Sequence, residues 1–190
     1  MADWKICIYP MIIGLSGYAQ SGKDTVAKTL VEQYGFTRVA FADKIRQLAQ
    51  EVNPLVGDSI HLNELLNEYG WDVAKQNPYV RQFLQQLGVG ARKLFGEEFW
   101  IKEALKPLES KGNFVFTDVR FVNEADTIRS NNGYIWRVKR PGIEAVNSHI
   151  SEHELDWYKV DQILSNRGTI EELELLVQQR MDNIRADKAT

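Results

Sequence analysis

The size and composition of the chain exclude several classes of protein before any motif is considered. Its 190 residues suit one domain with a small insertion, and its 44% hydrophobic and 26% charged residues are ordinary for a globular protein. The net charge of −3 argues against binding nucleic acid through bulk electrostatics, although basic side chains can still gather around a small anionic substrate. The single cysteine, Cys7, excludes an internal disulfide framework and fits a reducing compartment.

The N-terminal residues predict an extension on one domain. Pro10 would interrupt a central strand, so we interpret residues 1–10 as an extension and residues 11–190 as the domain. Asp3 and Lys5 interrupt any signal-peptide pattern, and no apolar run reaches the length of a membrane span. We therefore expect a cytoplasmic protein with no membrane partner.

Residues 17–25, with the sequence GYAQSGKDT, are typical of a phosphate-binding loop. Gly17 and Gly22 let the backbone curl so that consecutive N–H groups face an anion, and Lys23 follows to reach the outer phosphates. An apolar strand pattern precedes the loop and a helical pattern follows it, as the motif requires. This loop, which includes Ser21, predicts binding of nucleotide phosphates. The alternative is a strand-to-helix turn that binds no ligand.

The residue after the loop lysine departs from the usual pattern, in which Ser or Thr places its hydroxyl on Mg²⁺. Asp24 holds that position, and Thr25 comes one residue later. Either the Asp24 carboxylate approaches the metal, directly or through water, or Thr25 does so with a shifted geometry.

The middle of the chain predicts a helical insertion between the second and third strands. A strand pattern at 36–41 is followed by helical patterns over most of residues 44–109. Asn77 and Pro78 stand in the order of an N-cap and a first helical residue, and Gly70 is expected to terminate the preceding helix. We interpret this insertion as a substrate-binding lobe.

The helix that begins after Asn77 carries candidate substrate contacts. Arg81 and Gln85 are four residues apart and share a face that could hold a phosphate and a base edge. Arg92 is a further polar position, beyond two glycines that would allow a bend. The alternative is that these are solvated polar side chains, which are common on helices.

A second acidic position follows the strand pattern at 113–118. Asp118 ends this apolar run, where P-loop proteins place an acid associated with Mg²⁺, and Arg120 would point into the same crevice. The structural alternative is that Asp118 caps the next helix, at 121–129.

The last part of the chain completes an α/β alternation. Strand patterns at 134–138 and 161–164 flank a polar segment, 140–158, that is typical of a mobile cover over an active site. Thr169 is expected to cap a long C-terminal helix. The pattern predicts five parallel strands with helices on both faces of the sheet.

One short motif suggests a different class of enzyme. His149, Glu152 and His153 match the H-x-x-E-H arrangement of a zinc peptidase. That chemistry needs a third ligand and an architecture that a P-loop domain does not offer. We interpret the histidines as polar residues of the cover segment.

Several motifs taken together resemble the bacteriophage deoxynucleoside monophosphate kinases, a branch of the P-loop nucleoside monophosphate kinases. The resemblance spans most of the chain from Met11 onward, and the family's loop also carries aspartate after lysine. Its motifs are LSG leading into SGKDT at 15–25, RxxxQxLG at 81–88, DVR at 118–120, RPG at 140–142, HISE at 149–152 and SNxGT at 165–169.

The resemblance implies a P-loop kinase fold with a helical acceptor-binding insertion and a lid. It implies transfer of the γ-phosphoryl group of ATP, with Mg²⁺, to the 5′-phosphate of a deoxynucleoside monophosphate, in the host cytoplasm if the chain is encoded by a phage. Lys23 and the N–H groups of residues 18–25 would hold the donor phosphates. Mg²⁺ and its waters would be ordered by Asp24, Thr25 and Asp118.

The remaining site residues are also implied by the resemblance. Candidates to bridge the donor and acceptor phosphates are Arg120, Arg140 and Arg137. Candidates to bind the acceptor are Asp43, Arg46, Arg81, Gln85 and Arg92. Asn166 to Gly168 would frame the adenine of ATP.

Two other functions share parts of this pattern. A dephospho-coenzyme A kinase would have the same loop and sheet with a longer acceptor pocket, and a regulatory or motor-type ATPase would hydrolyse ATP without an acceptor. The large insertion, and the lack of a glutamate or glutamine plainly placed to activate water, favour a kinase. The expected partners are small nucleotides and no nucleic acid. The sequence leaves open a homodimer, the accepted bases and the preference for deoxyribose.

Overall fold

The computed structural model describes residues 11–57, 59–109, 112–144 and 153–189. The strands are β1 (Ile12–Ser16), β2 (Phe36–Val39), β3 (Asn113–Phe116), β4 (Tyr134–Lys139) and β5 (Gln162–Ser165). The helices are α1 (Lys23–Tyr34), α2 (Phe41–Val52), α3 (Leu62–Ala74), α4 (Pro78–Phe95), α5 (Phe99–Leu105), α6 (Val122–Ser130) and α7 (Ile170–Ala189), with a 3₁₀ turn at Lys106–Glu109.

These elements form two compact units. The helical unit runs from Phe41 to Pro107, and the sheet unit contains the described residues up to Ala40 and from Leu108 onward. The helical unit overlaps the insertion expected at residues 44–109.

The sheet unit contains one five-stranded sheet in the order β2-β3-β1-β4-β5, in which every paired strand is parallel. The expected α/β fold with a parallel sheet is confirmed. Because all strands run the same way, the segments after their carboxyl ends meet at one edge of the sheet. The phosphate-binding loop, Asp118, Arg140 and Asn166 all lie in those segments.

Alternate residues of β1 pack against different helices, as expected for a strand that is buried on both faces. Ile13 and Leu15 are fully buried in the core that contains residues of α1 and α7. Gly14 points to the other face, where an added Cβ would lie 2.7 Å from Cδ1 of Ile128 in α6. Helices therefore cover both faces of the sheet.

Helix α1 is bounded by two glycines in left-handed conformations. Gly22 (φ 109°) precedes it, and Gly35 (φ 67°) ends it by donating from its N–H to the carbonyls of Leu30 and Val31. The strand after Gly35 is shorter than the expected 36–41. It ends at Val39, and Phe41 begins α2.

The helical unit has its own small core of Ala49, Val56, Leu62 and Val80. Asn77 caps α4 as expected, because its side chain accepts a hydrogen bond from the N–H of Tyr79. Gly70 ends the first of two helical segments within α3, as expected. Gly70 has φ 70° and ψ 175°, which breaks the helix locally, but helical structure resumes as far as Ala74.

Among the described residues, none of the helices combines the length and the apolar character that a membrane span requires.

Candidate active site

The loop between β1 and α1 has the backbone of a phosphate cradle. Gly17 (φ 131°), Gln20 (φ 61°) and Gly22 (φ 109°) adopt positive φ angles that turn the chain sharply back on itself. A Cβ on Gly17 would lie 2.3 Å from the carbonyl oxygen of Val138, so only glycine allows the loop to approach β4 this closely. The two glycines of the motif are therefore required by geometry.

Lys23 folds back over this loop. Its Nζ donates to the carbonyl oxygens of Gly17 and Tyr18, both at 2.7 Å. The ammonium group therefore lies at the mouth of the loop, and α1 begins there without a side-chain N-cap. The N-terminus of a helix and a lysine together form a site of positive potential suited to phosphate.

Ser21 supplies an unused hydrogen-bonding group at the same place. Its Oγ is buried without a hydrogen-bond partner among the described residues, and the residue lines the cavity beside the loop. Buried hydroxyl groups normally have partners, so a ligand oxygen is a suitable one.

The cavity next to the loop has a volume of about 410 Å³. Its walls include four cationic side chains and the apolar groups of Val119, Ile143 and Leu155. The cationic residues are Arg120, Arg137, Lys139 and Arg140. Arg120, Lys139 and Arg140 are exposed, so this cavity can receive highly charged anions.

Arg137 differs from the other three cations. Its guanidinium donates to the carbonyl oxygens of Asp156 (3.0 Å), Tyr158 (3.1 Å) and Leu155. Burial lowers the pKa of Arg137 from its usual value, and the nearby Asp156 carboxylate opposes that shift. Its donors hold a turn of the chain, and its expected role of bridging two phosphates stays a prediction.

The candidate metal-binding residues occupy two segments at the same edge of the sheet. Asp24 is exposed and Thr25 half-buried in the first turn of α1, while Asp118 is half-buried two residues beyond β3. A hydrogen bond of 3.1 Å from the N–H of Val119 to the carbonyl oxygen of Leu15 holds the Asp118 segment beside the end of β1. Within the described ranges, no group of three or more His, Cys, Asp or Glu residues could hold a metal. The donor set of two carboxylates and a hydroxyl fits Mg²⁺, which keeps several of its waters.

The cap of α6 is made by residues that the sequence reading missed. Oε2 of Glu124 accepts hydrogen bonds from the N–H groups of Arg120 (2.8 Å) and Phe121 (3.1 Å). Oε1 of Glu154 accepts another from the N–H of Val122 at 2.9 Å. Glu124, three residues after the N-cap position, is a known helix-start signal that could have been recognised.

Asn166 supports the phosphate-binding loop from β5. Its Nδ2 donates to the carbonyl oxygen of Ser21 at 2.9 Å, and its own N–H donates to the carbonyl oxygen of Lys139 at 2.7 Å. The side-chain amide therefore contacts the loop, and its contact with adenine stays a prediction.

Gly168 lies beside the start of α7, where Thr169 and Glu172 form a capping box. The N–H of Thr169 donates to Oε2 of Glu172 (2.9 Å), and the N–H of Glu172 donates to Oγ1 of Thr169 (3.3 Å). A Cβ on Gly168 would lie 1.5 Å from Oε2 of Glu172, so this glycine makes room for the cap. A second cavity of about 260 Å³ lies beside Gly168, lined also by Asn166.

The predicted acceptor contacts of α2 form a small cluster within the helical unit. NH1 of Arg46 lies 3.0 Å from Oδ1 of Asp43, and the guanidinium lies 5.9 Å from the centre of the Trp71 ring. Trp71 follows Gly70 directly, so the break in α3 is adjacent to the residue that contacts Arg46.

The predicted acceptor contacts of α4 do not all have the same environment. Arg81 and Gln85 are exposed and one turn apart. Arg92 is engaged with Glu97, with 2.7 Å between Nε and Oε2.

Of the competing zinc motif, His149 and Glu152 lie outside the described residues. His153 is described, and its Nδ1 lies 3.1 Å from Oδ2 of Asp156.

Comparison with known proteins assigns the family. The family model described as deoxynucleotide monophosphate kinase matches residues 59–177 of this chain. A protein of Acanthamoeba polyphaga mimivirus, provisionally named a deoxynucleotide monophosphate kinase, is 32% identical over 188 residues, covering 91% of this chain and 97% of its own. The chain belongs to the deoxynucleotide monophosphate kinase family.

A phage protein and a solved structure are also similar to this chain. The deoxynucleotide monophosphate kinase of Escherichia phage RB69 is 33% identical over 100 residues, which is 50% of this chain and 41% of the phage protein. Among solved structures, a dephospho-CoA kinase from Campylobacter jejuni matches 93% of this chain and 98% of its own with a TM-score of 0.47 and 16% identity.

Assignment to the deoxynucleotide monophosphate kinases confirms the resemblance read from the sequence. The family match begins after the phosphate-binding loop and includes Arg81, Gln85, Arg120, Arg140 and Asn166. The loop lies outside that match and indicates phosphate binding, whereas the family match indicates a kinase.

Proposed function

We propose that this kinase transfers the γ-phosphoryl group of ATP to the 5′-phosphate of a deoxynucleoside monophosphate, giving the diphosphate. The observation that carries the proposal is the Lys23 loop, which opens onto a cavity lined by several cationic side chains, in a chain that belongs to this kinase family. Phosphoryl transfer needs little covalent chemistry from the protein, which must align the two nucleotides and neutralise spreading negative charge.

The donor phosphates bind in the loop. Lys23 exchanges its two carbonyl acceptors for phosphate oxygens, and the loop N–H groups and Ser21 Oγ provide further donors. Asp24, Thr25 and Asp118 are the residues that would hold Mg²⁺ and its waters. When bound, the ion neutralises phosphate charge and helps to orient the donor.

Arg120 and Arg140 neutralise charge during transfer. Both are exposed and line the cavity beside the loop. Their planar guanidinium groups can contact two phosphate oxygens at once, an arrangement that a lysine cannot reproduce. Charge stabilisation of this kind acts where negative charge spreads in the transition state.

The acceptor monophosphate binds to the helical unit. Arg81 and Gln85 present a cation and an amide from neighbouring turns of α4, suited to a phosphate and a base edge. Arg46, which is held by Asp43 and faces Trp71, provides a second oriented cation. Arg92 is assigned to the same group, with its guanidinium already balanced by Glu97.

Product analysis tests this function. The purified protein is incubated with Mg-ATP and a panel of deoxynucleoside monophosphates, ribonucleoside monophosphates and dephospho-coenzyme A, and the products are separated. We expect ADP and a deoxynucleoside diphosphate in equal amounts. Phosphorylation of dephospho-coenzyme A alone, or release of inorganic phosphate without a phosphorylated acceptor, would reject the proposal.

A further inference from the structure

The turn at residues 153–158 is fixed to the sheet by one arginine. Three backbone carbonyls of this turn, those of Leu155, Asp156 and Tyr158, accept hydrogen bonds from the guanidinium of Arg137 in β4. A guanidinium presents its donors in a rigid planar fork, so it fixes the orientation of the segment as well as its distance.

The same turn contacts the phosphate-binding loop directly. Oδ1 of Asp156 accepts a hydrogen bond of 2.9 Å from the hydroxyl of Tyr18, the second residue of the loop. The carbonyl oxygen of Tyr18 accepts in turn from Nζ of Lys23 at 2.7 Å. A continuous set of contacts therefore runs from Arg137 through the turn and Tyr18 to Lys23.

A third attachment fixes the other side of the turn. Glu154 accepts from the N–H of Val122 at the start of α6, two residues after Arg120. The turn is consequently tied to the strand, the loop and the helix that surround the cavity, and Leu155 and Asp156 line that cavity.

We propose that Arg137 is a positioning residue that prepares the phosphate-binding loop for nucleotide by holding Asp156 against Tyr18. The identity of the nucleotide rests on the proposed function. A loop that is ordered before binding loses less conformational freedom when the phosphates arrive, which increases affinity.

Direct contact between Arg137 and phosphate is the competing role. To reach a phosphate, the guanidinium would have to release the carbonyls of the turn, at the cost of leaving partly buried acceptors unpaired. Arg120 and Arg140 line the same cavity and are exposed, so they are better placed for that role.

A double-mutant cycle on nucleotide affinity tests the proposal. Mg-ADP binding is measured by calorimetry for the wild type, Tyr18→Phe, Arg137→Lys and the double variant, with Arg185→Lys as a matched control, because Arg185 lies against Tyr34 in the same unit. We expect the affinity for Mg-ADP to fall about fivefold in Tyr18→Phe and by more than that in Arg137→Lys. The affinity of the double variant should lie less than about twofold below that of Arg137→Lys, because both substitutions act on the same contact. The proposal would be overturned if the two substitutions reduced the affinity by independent factors that multiply in the double variant, or if Arg137→Lys left the affinity unchanged.

The outcome of this binding experiment can be distinguished from the outcome of the product analysis. ADP binding does not depend on which acceptor is phosphorylated, so failure of the product analysis leaves the cycle interpretable. If Arg137→Lys does not fold, the cycle is run with Asp156→Ala in its place, since that substitution removes the acceptor of the Tyr18 hydroxyl and keeps all three carbonyls that Arg137 contacts. The same non-additivity with Tyr18→Phe is then expected, and multiplicative effects reject the proposal.

Discussion

Asn166 and Ser21 are 145 residues apart in the chain, yet the side-chain amide of Asn166 donates to the Ser21 carbonyl oxygen at 2.9 Å. The bond is buried and joins the segment after the last strand to the loop after the first. It supports the loop on one side, while Tyr18 and Asp156 contact each other on another. The loop conformation therefore depends on residues far away in the sequence.

Replacing Asn166 with alanine should weaken both the fold and nucleotide binding. The Ser21 carbonyl would lose its buried donor, which costs about 1–3 kcal/mol in the free energy of unfolding. Mg-ADP affinity should fall about tenfold because the loop is less ordered. Thermal unfolding and calorimetry check these effects. Asn183→Ala, at an exposed position on α7, is the control, and equal effects in the two variants would refute the assignment.

Replacing Lys23 with alanine should abolish phosphoryl transfer and leave the fold intact. Its ammonium group contacts carbonyls of the loop, and its charge is proposed to act on the donor phosphates. We expect kcat to fall by about 10²–10³-fold or more, as for removal of a group that stabilises transition-state charge. Lys28→Ala, an exposed cation of the same helix, is the control. Near-normal turnover in Lys23→Ala would remove the central assignment.

Two glycine-to-alanine substitutions should have opposite effects on stability. Gly22 has φ 109°, and its added Cβ would lie 2.6 Å from Nδ2 of Asn166, so Gly22→Ala should destabilise the protein and weaken ADP binding. Gly90 lies within α4 with nothing within 4 Å of an added Cβ, so Gly90→Ala should raise the free energy of unfolding by about 0.5–1 kcal/mol. Chemical denaturation measures both changes. Tolerance of alanine at residue 22 would show that the loop geometry is not required.

Arg81→Ala should change KM for the acceptor much more than KM for ATP. If Arg81 contacts the acceptor phosphate, KM for the deoxynucleoside monophosphate should rise about tenfold or more while KM for ATP changes less than about twofold. Lys93→Ala removes another exposed cation from the same helix and should alter neither value by more than about twofold. An equal effect of Arg81→Ala on both KM values would place Arg81 outside the acceptor site.

Local signals in the sequence predicted many of the element boundaries. Gly35 ends α1, Asn77 caps α4 and Thr169 caps α7, because caps depend on a few neighbouring residues. The parallel sheet also followed from the alternation of strand and helix patterns. The residues expected after the strands consequently lie at one edge of the sheet.

Long-range contacts could not be predicted in the same way. The local signal at Gly70 indicated the end of a helical segment, but it did not indicate that Trp71 would pack against the core of the helical unit and begin a second segment at once. The hydrogen bonds of Arg137 to the carbonyls of Asp156 and Tyr158 were not predicted, because a list of cations does not show which carbonyls lie within reach. The contact of Asn166 with Ser21 likewise depends on how the strands are ordered, which no short motif encodes.

The starts of the helices determine where a free anion can bind in the sheet unit. Carboxylates of Glu124 and Glu154 already occupy the N-terminus of α6, and Glu172 with Thr169 occupies that of α7. Helix α1 follows Gly22 and carries Asp24 in its first turn, but no described side chain caps its N–H groups. At two of these three described helix starts, N–H groups are thus already paired with the protein's own carboxylates. Among the described helices of this unit, α1 is therefore the one that offers uncapped N–H groups to negative charge from solution, so the placement of carboxylates elsewhere in the fold favours phosphate binding at the loop.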